Sequence, residues 1–366
     1  MKILIVHHCD SWGGAGVSLR DVCRMLLPTH DVTVCLPHLN SEVDGELKKI
    51  DGIKTVSIEA DMGMISAYNG GPKFISRTFA KSLIRIRDSR RRLENILKDK
   101  YDLVILNSIT LSWAAKTVKK NGARAIVYVR ETKVKNPGFY LCKHLINKYC
   151  DDVLFISDFD RKSMSFRVKN QLVVRDCLDF DLYEVGIDRA EACDKFGLDG
   201  DKFNLLYVGG DDELKGYSVL ISAIKNIAAP EIQLVVAGGV HPEKKIYAEN
   251  VKYVGKVFDM PTLYHACDAL VFPSTKGHQA RPVFEAGAAG LPVIISDFPE
   301  TEDAVMDGVN GLVFEPCNAT ALANKINELY LSVDFAKQLG AKNRENAQAK
   351  HDFSKVQTNL LSIVES

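Results

Sequence analysis

His278, Arg281 and Glu285 bring an imidazole, a guanidinium and a carboxylate into one short stretch, FPSTKGHQARPVFEAGAAGLPVIISDFP at residues 272–299. Apolar runs bound it on both sides, DALVF (268–272) and LPVII (291–295). Residues 281–290 read as a helix with Pro282 in its first turn, where a missing N–H costs nothing. Ala286, Ala288 and Ala289 favour that helix, while Gly287 and Gly290 let it pack closely or stop. The unit is therefore strand, loop, helix, strand, with Glu285 one turn into the helix. In a parallel sheet the loop after a strand lies at the carboxyl edge, where ligands bind. An ionised carboxylate there is a two-oxygen acceptor suited to hydroxyl groups, and Arg281 is a cation that can meet a phosphate.

Two glycine loops repeat the strand–loop–helix setting. In the first, Ser11-Trp12-Gly13-Gly14-Ala15-Gly16, glycines let a ligand approach the backbone and helix N–H groups attract anions. It is not G-x-G-x-x-G, and a plain tight turn explains it equally well. In the second, residues 208–216, Gly209 and Gly210 precede Asp211, Asp212 and Lys215. Lys215 reads either as a solvated lysine at a helix start or as a cation aimed at a ligand. Two adjacent acids in a loop are usually solvated, and no metal site is expected.

The core of the first stretch, RPVFEAGAAGLPVI, resembles the nucleotide-sugar signature P-x-x-E-A-x-A-x-G-x-P-V-I of family 4 glycosyltransferases. The resemblance implies a retaining enzyme of the GT-B fold: α/β, with two Rossmann-like parallel-sheet domains facing a central cleft. It also implies a last helix crossing back onto the first domain, at residues 351–366. It assigns Glu285 to the donor ribose hydroxyls and Lys215 to the donor diphosphate, whose charge grows as the sugar leaves. Gly13 and Gly14 match a loop facing donor and acceptor. Gly209, Gly210, His278, Gln279, Ala280 and Pro282 complete the donor-side candidates, with Lys215, Glu285 and Arg281 as the catalytic set. Arg130 and Glu131, at a strand end, and Ser157 are acceptor-side candidates, although an Arg–Glu pair is often structural and Ser157 also reads as a helix N-cap. Two positions depart from the family: Gly210 stands where an Arg is usual, and Gly277 where a first Glu precedes the second by eight residues. The co-substrate implied is a nucleotide diphosphate sugar, with no cofactor and no divalent ion, and the acceptor a saccharide or lipid-linked glycan. A non-catalytic nucleotide-sugar-binding subunit, or a nucleotide-sugar epimerase, would share the fold.

The elements that position these residues follow from alternating apolar runs and helical-period segments, the pattern of parallel α/β sheets. Strands are expected at 3–6, 32–36, 103–106, 125–129 and 153–156 in the first half. In the second they are expected at 204–208, 234–237, 251–254, 269–272, 293–295 and 312–314. Leu19, Val22, Cys23 and Leu26 fall at helical spacing after the first strand, and residues 318–366 read as consecutive helices. Two α/β sets imply two domains, an acceptor-side domain at 1–185 joined by 351–366, and a nucleotide-sugar domain at 186–350.

The chain has 366 residues, 46% hydrophobic and 26% charged, as in ordinary globular proteins. Its net charge is zero, but residues 1–188 hold 30 basic and 23 acidic side chains, and the remainder 17 and 24. The excess concentrates at 73–98, with nine basic and two acidic residues. There Ile75, Phe79, Leu83, Ile86, Leu93 and Leu97 form a stripe at helical spacing, beside Lys73, Arg77, Lys81 and Arg85. Such a helix either packs on its sheet with a solvated basic face or docks on anionic lipid, at about 1 kcal/mol per basic side chain. No aromatic stacking platform accompanies the charges, so nucleic acid is not an expected partner. Nine dispersed cysteines without a C-x-x-C pair point to buried free thiols in a reducing compartment. No apolar run is long enough to span a membrane and MKILIVHH is too short for a secretory signal. A cytoplasmic protein, peripheral at the inner membrane face, is the expected location.

Overall fold

A computed structural model of the chain describes residues 1–67 and 77–366, with the side chains of 77–80 outside the description. The chain forms two compact units, Met1–Cys177 with Ser354–Ser366, and Leu178–Phe353. It leaves the first at Cys177, builds the second as one continuous segment, and returns.

The first unit is a sheet of seven parallel strands: β1 Lys2–Val6, β2 Asp31–Leu36, β3 Lys54–Ser57, β4 Leu103–Leu106, β5 Arg124–Val129, β6 Asp152–Phe155 and β7 Asn170–Val173. Their spatial order is β3-β2-β1-β4-β5-β6-β7. The order reverses between β1 and β4, and at such a switch point the following loops part and leave a crevice at the carboxyl edge. β4 and the inner residues of β1, β5 and β6 are fully buried. Helices on both faces cover them, so these strands read as unbroken apolar runs. β3 and β7 lie at the two edges, are half-exposed, and had no apolar signature to announce them.

The second unit holds six parallel strands: β8 Phe203–Val208, β9 Ile232–Ala237, β10 Val251–Gly255, β11 Ala269–Phe272, β12 Val293–Ser296 and β13 Leu312–Phe314, in the order β10-β9-β8-β11-β12-β13. Here the switch point falls between β8 and β11. Leu205 and Val236 enter one core layer while Leu206 and Val235 enter the layer on the opposite face, the period-two alternation of a sheet buried on both sides. All the strands expected from the sequence are present within a residue or two at their ends.

Three helices close the chain, Ala319–Leu331, Val333–His351 and Phe353–Val364. The last belongs to the first unit. Val356, Leu360, Ile363 and Val364 are buried, Gln357 donates to the Met25 carbonyl, and the Arg124 guanidinium donates to the carbonyls of Ile363 and Val364. The Arg124 contact satisfies the carbonyls that a helix C-terminus leaves open.

The basic segment is a helix over Arg77–Ile96. Leu93 is buried and Ile86 half-buried, but Leu83 is 50% and Ile84 71% exposed. The stripe is thus interrupted: Leu83 does not join the core, and the helix ties down instead through the Ser82 hydroxyl to the Met64 carbonyl and the Gly63 N–H to the Ser89 hydroxyl. Lys73, Ile75 and the side chains of Arg77 and Phe79 lie outside the described residues. No helix among the described residues is long and apolar enough to cross a membrane.

Candidate functional site

In the second unit the candidate residues gather on the loops that follow β8, β11 and β12. After β8 the chain turns through Gly209 and Gly210, whose N–H groups both donate to the Ala237 carbonyl, at 3.0 and 2.9 Å. Gly210 has φ +59°, and a Cβ there would fall on the Gly239 carbonyl. This backbone approaches its neighbour too closely for any side chain. The loop continues through a short 3-10 turn, Glu213–Lys215, capped by Asp212. Lys215 is half-buried, and its amine makes no hydrogen bond or ion pair with any described residue.

After β11 the chain runs through Ser274, Lys276, Gly277, His278 and Gln279 into the helix Arg281–Ala288. Ala280 is the N-cap residue and offers no side-chain cap, Pro282 supplies no N–H, and the Val283 N–H donates to the Ala280 carbonyl at 3.0 Å. Thr275 pins this loop to the one after β8, its N–H on the Leu214 carbonyl and its hydroxyl on the Glu213 carbonyl. His278 Nδ1 lies 3.0 Å from the Lys276 carbonyl, and its ring meets Phe272 edge-on. Burial chiefly, aided by the nearby Lys215 charge, lowers its pKa, so the imidazole is neutral and Nε2 is an acceptor.

Glu285 is not an open carboxylate. Arg281 Nε lies 2.7 Å from Oε1, and the Tyr264 hydroxyl 3.0 Å from Oε2 and 3.3 Å from the Pro282 carbonyl. Both side chains of the ion pair are only about a tenth exposed. Burial, and then the Glu285 charge, push the Tyr264 phenol well above its ordinary pKa and keep it a donor. Arg281 thus closes back on Glu285 one turn away, instead of projecting as a separate phosphate ligand. A carboxylate accepts about four hydrogen bonds, so each Glu285 oxygen keeps capacity for a ligand hydroxyl. Tyr264 comes from the helix Met260–His265, and no spacing rule in the sequence pointed to it.

The remaining sequence candidates occupy the first unit. Gly13 and Gly14 stand at the N-terminus of the helix Gly14–Leu26, without a side-chain cap, and nothing lies within 4 Å of a Cβ added at either. Their backbone is uncovered. Arg130, by contrast, is buried in a network. Its Nε donates to Asn107 Oδ1 at 2.8 Å, its Nη1 to Asp176 Oδ1 at 2.7 Å, and its guanidinium stacks 4.0 Å above Tyr128. Glu131 accepts from the Ser108 hydroxyl and the Ile109 N–H, and so caps the turn after β4. Ser157 is the buried N-cap of the helix Asp158–Met164, accepting from the Asp160 N–H.

The same edge holds residues that sequence reasoning passed over. His7 and His8 follow β1, and His7 Nδ1 lies 3.0 Å from Asn107 Nδ2, across the switch point between β1 and β4. Burial lowers both imidazole pKa values, for His7 well below the ordinary value, with Arg130 acting in the same direction. The signal was available: two histidines at the carboxyl end of a central strand.

Residues 188–346 match the family model described as glycosyl transferases group 1. The chain is 29% identical over 197 residues to spore coat protein SA of Bacillus subtilis, a match covering 48% of this chain and 52% of that protein. It is 27% identical over 161 residues to the capsular polysaccharide biosynthesis glycosyltransferase CapM of Staphylococcus aureus, covering 41% and 42%. The matches thus span about half the length of these curated relatives. Among solved structures, Anabaena Alr3699/HepE in complex with UDP-glucose superposes with a TM-score of 0.83 at 18% identity, over 100% of this chain and 99% of that one. That likeness speaks for the fold alone. The chain therefore has the two-domain GT-B fold of glycosyltransferases, and its second unit carries the group 1 glycosyl transferase sequence pattern.

Proposed function

We propose that the protein is a retaining glycosyltransferase of family 4. In this reading it transfers a hexose from a nucleotide diphosphate sugar to a saccharide or lipid-linked glycan in polysaccharide or glycan assembly. The observation that carries the reading is the group 1 pattern over 188–346, because that stretch contains Lys215, Arg281 and Glu285 on adjoining loops at a switch point. A fold neighbour crystallised with UDP-glucose supports a nucleotide-sugar donor, and the CapM relative supports a place in polysaccharide biosynthesis.

Lys215, with its amine unpartnered, faces the diphosphate and stabilises it as the glycosidic bond to the leaving group breaks. Glu285 accepts the ribose hydroxyls with the capacity that Arg281 and Tyr264 leave, and Arg281 acts by fixing the carboxylate. The acceptor hydroxyl attacks from the side of the departing group, which retains the configuration. This arrangement uses neither a side-chain nucleophile nor a metal ion. The acceptor is proposed to meet the first unit at Gly13 and Gly14, near the edge held by Arg130 and Glu131. The basic helix Arg77–Ile96, with Leu83 and Ile84 exposed among its cations, is proposed to rest on anionic lipid at the cytoplasmic membrane face.

Purified protein supplied with a panel of nucleotide sugars is expected to release a nucleoside diphosphate slowly, and faster with its acceptor. A second reading, a nucleotide-sugar-binding subunit without turnover, draws on Gly277 and on the ion pair that occupies Glu285. Donor binding with no release under any acceptor supports that reading and overturns the enzyme.

A further inference from the structure

The loop after β12 brings a second carboxylate to the donor loops. A Cβ placed on Gly277 would fall on the carboxylate of Glu300, which packs directly over that glycine. Glu300 is half-buried, and its carboxylate makes no hydrogen bond or ion pair with any described residue. Its position is nevertheless fixed. The Gln279 side-chain amide donates to the Glu300 carbonyl, and the next residue, Thr301, is buried with its hydroxyl on the Phe298 and Ser296 carbonyls. His278 feels the charges near it, Lys215 lowering its pKa and Asp212 and Glu300 raising it. Lys215 and Glu300 thus both lie near His278, and neither side chain has a hydrogen-bond or ion-pair partner among the described residues.

An unpaired ammonium and an unpaired carboxylate, near one neutral hydrogen-bonding ring, form a dipolar cradle for a ligand that is anionic at one end and rich in hydroxyls at the other. Glu285, its oxygens already engaged by Arg281 and Tyr264, is the less available acceptor of the two.

We propose that Glu300 is a specificity-determining residue that accepts hydrogen bonds from hydroxyls of the transferred sugar, and that position 277 is glycine because the Glu300 carboxylate occupies the space beside it. This assignment rests on the nucleotide-sugar reading and deepens it. The carboxylate normally supplied by the loop after one strand comes here from the loop after the next.

The test compares calorimetric binding of nucleoside diphosphates with binding of their hexose conjugates, in wild type, Glu300→Gln, Glu300→Ala and Gly277→Ala. Nucleoside diphosphate affinity is expected to stay within about twofold in the Glu300 variants, because the diphosphate end is untouched. The conjugates are expected to lose at least about tenfold, the usual worth of a hydrogen bond to a charged group. Gly277→Ala leaves the carboxylate in the chain but displaces it, and is expected to reproduce the loss. Glu300 variants that bind conjugates as wild type does overturn this assignment alone. A wild type that binds neither nucleoside diphosphates nor conjugates overturns the transferase reading, and this assignment with it.

Discussion

Lys215 and Glu285 differ in what the fold asks of them, and substitution separates the two roles. The Lys215 amine makes no hydrogen bond or ion pair among the described residues, so Lys215→Ala is expected to lower turnover about a hundredfold with little change in melting temperature. Glu285→Ala is expected to lose comparable activity and also roughly 1–3 kcal/mol of stability, since it strips the Arg281 pair and the main acceptor of the Tyr264 hydroxyl. Thermal melts beside turnover measurements check both; a Lys215→Ala protein with wild-type turnover removes Lys215 from the mechanism. A second residue-scale expectation concerns Asp211, whose carboxylate takes His241 Nδ1 and N–H and so anchors the loop of Gly209 and Gly210. The pair raises the His241 pKa and lowers that of Asp211. The histidine contribution is complete below the ordinary value of 6.5 and fades as pH rises through the raised folded value. The aspartate contribution is present above 3.8 and fades as pH falls through the lowered folded value. The loop should therefore be held best in mildly acid solution and loosen in the alkaline direction, and His241→Ala should flatten that part of the stability profile. Of these residues, Lys215 and Glu285 were legible from their motif. Tyr264 and Glu300 were not, because the first meets Glu285 only once the helix Met260–His265 packs beside Arg281–Ala288, and the second meets Gly277 only once the loops after β11 and β12 come together.

Elements carry the next set of consequences. Gly210 fills a slot defined by the β8 and β9 turns together, so Gly210→Arg does not restore a missing cation. It is expected to cost roughly 1–3 kcal/mol through positive φ and collision with Gly239, without gain in activity. For the basic helix, Lys81, Arg87, Arg90 and Arg91 are exposed, whereas Arg85 is paired with Asp61 and Arg92 with Asp88. Glutamine at the first four, or serine at Leu83 and Ile84, is expected to reduce binding to vesicles containing anionic phospholipid. The charge contribution should weaken as salt shortens the Debye length below about 8 Å. Equal sedimentation of wild type and variants with the vesicles leaves the helix a purely structural element. The central strands could be read because burial on both faces fills most of their positions with apolar side chains, as in LVIL of β4 and KILIV of β1. The edge strands KTVS and NQLV could not, since one side of each faces solvent and a handful of mixed residues resembles a loop.

On the scale of the whole molecule, the first unit is made from two stretches of chain. Deleting 354–366 uncovers the partners of Val356, Leu360, Ile363 and Val364 and frees the Arg124 guanidinium from two carbonyls. Each such side chain contributes roughly 1.5–3 kcal/mol by burial, so the first unit is expected to melt at least about 10 °C lower, while the second keeps its transition. Calorimetry resolves the two if they unfold separately. The crossover was expected from family likeness and not from composition or period: twelve residues of amphipathic helix look alike wherever they dock.

The second unit begins and ends at one place. Leu178 donates its N–H to the His351 carbonyl at 2.7 Å and forms a bridge with Asp352, so the outgoing and returning chains lie side by side where this unit starts and stops. In genetic terms, residues 178–353 form a cassette whose two splice points coincide in space. Recombination can replace such an insert without rethreading the host, provided the incoming segment offers the same closely spaced ends. The loops bearing Lys215, Glu285 and Glu300 travel together inside it, so the three side chains are inherited as a block.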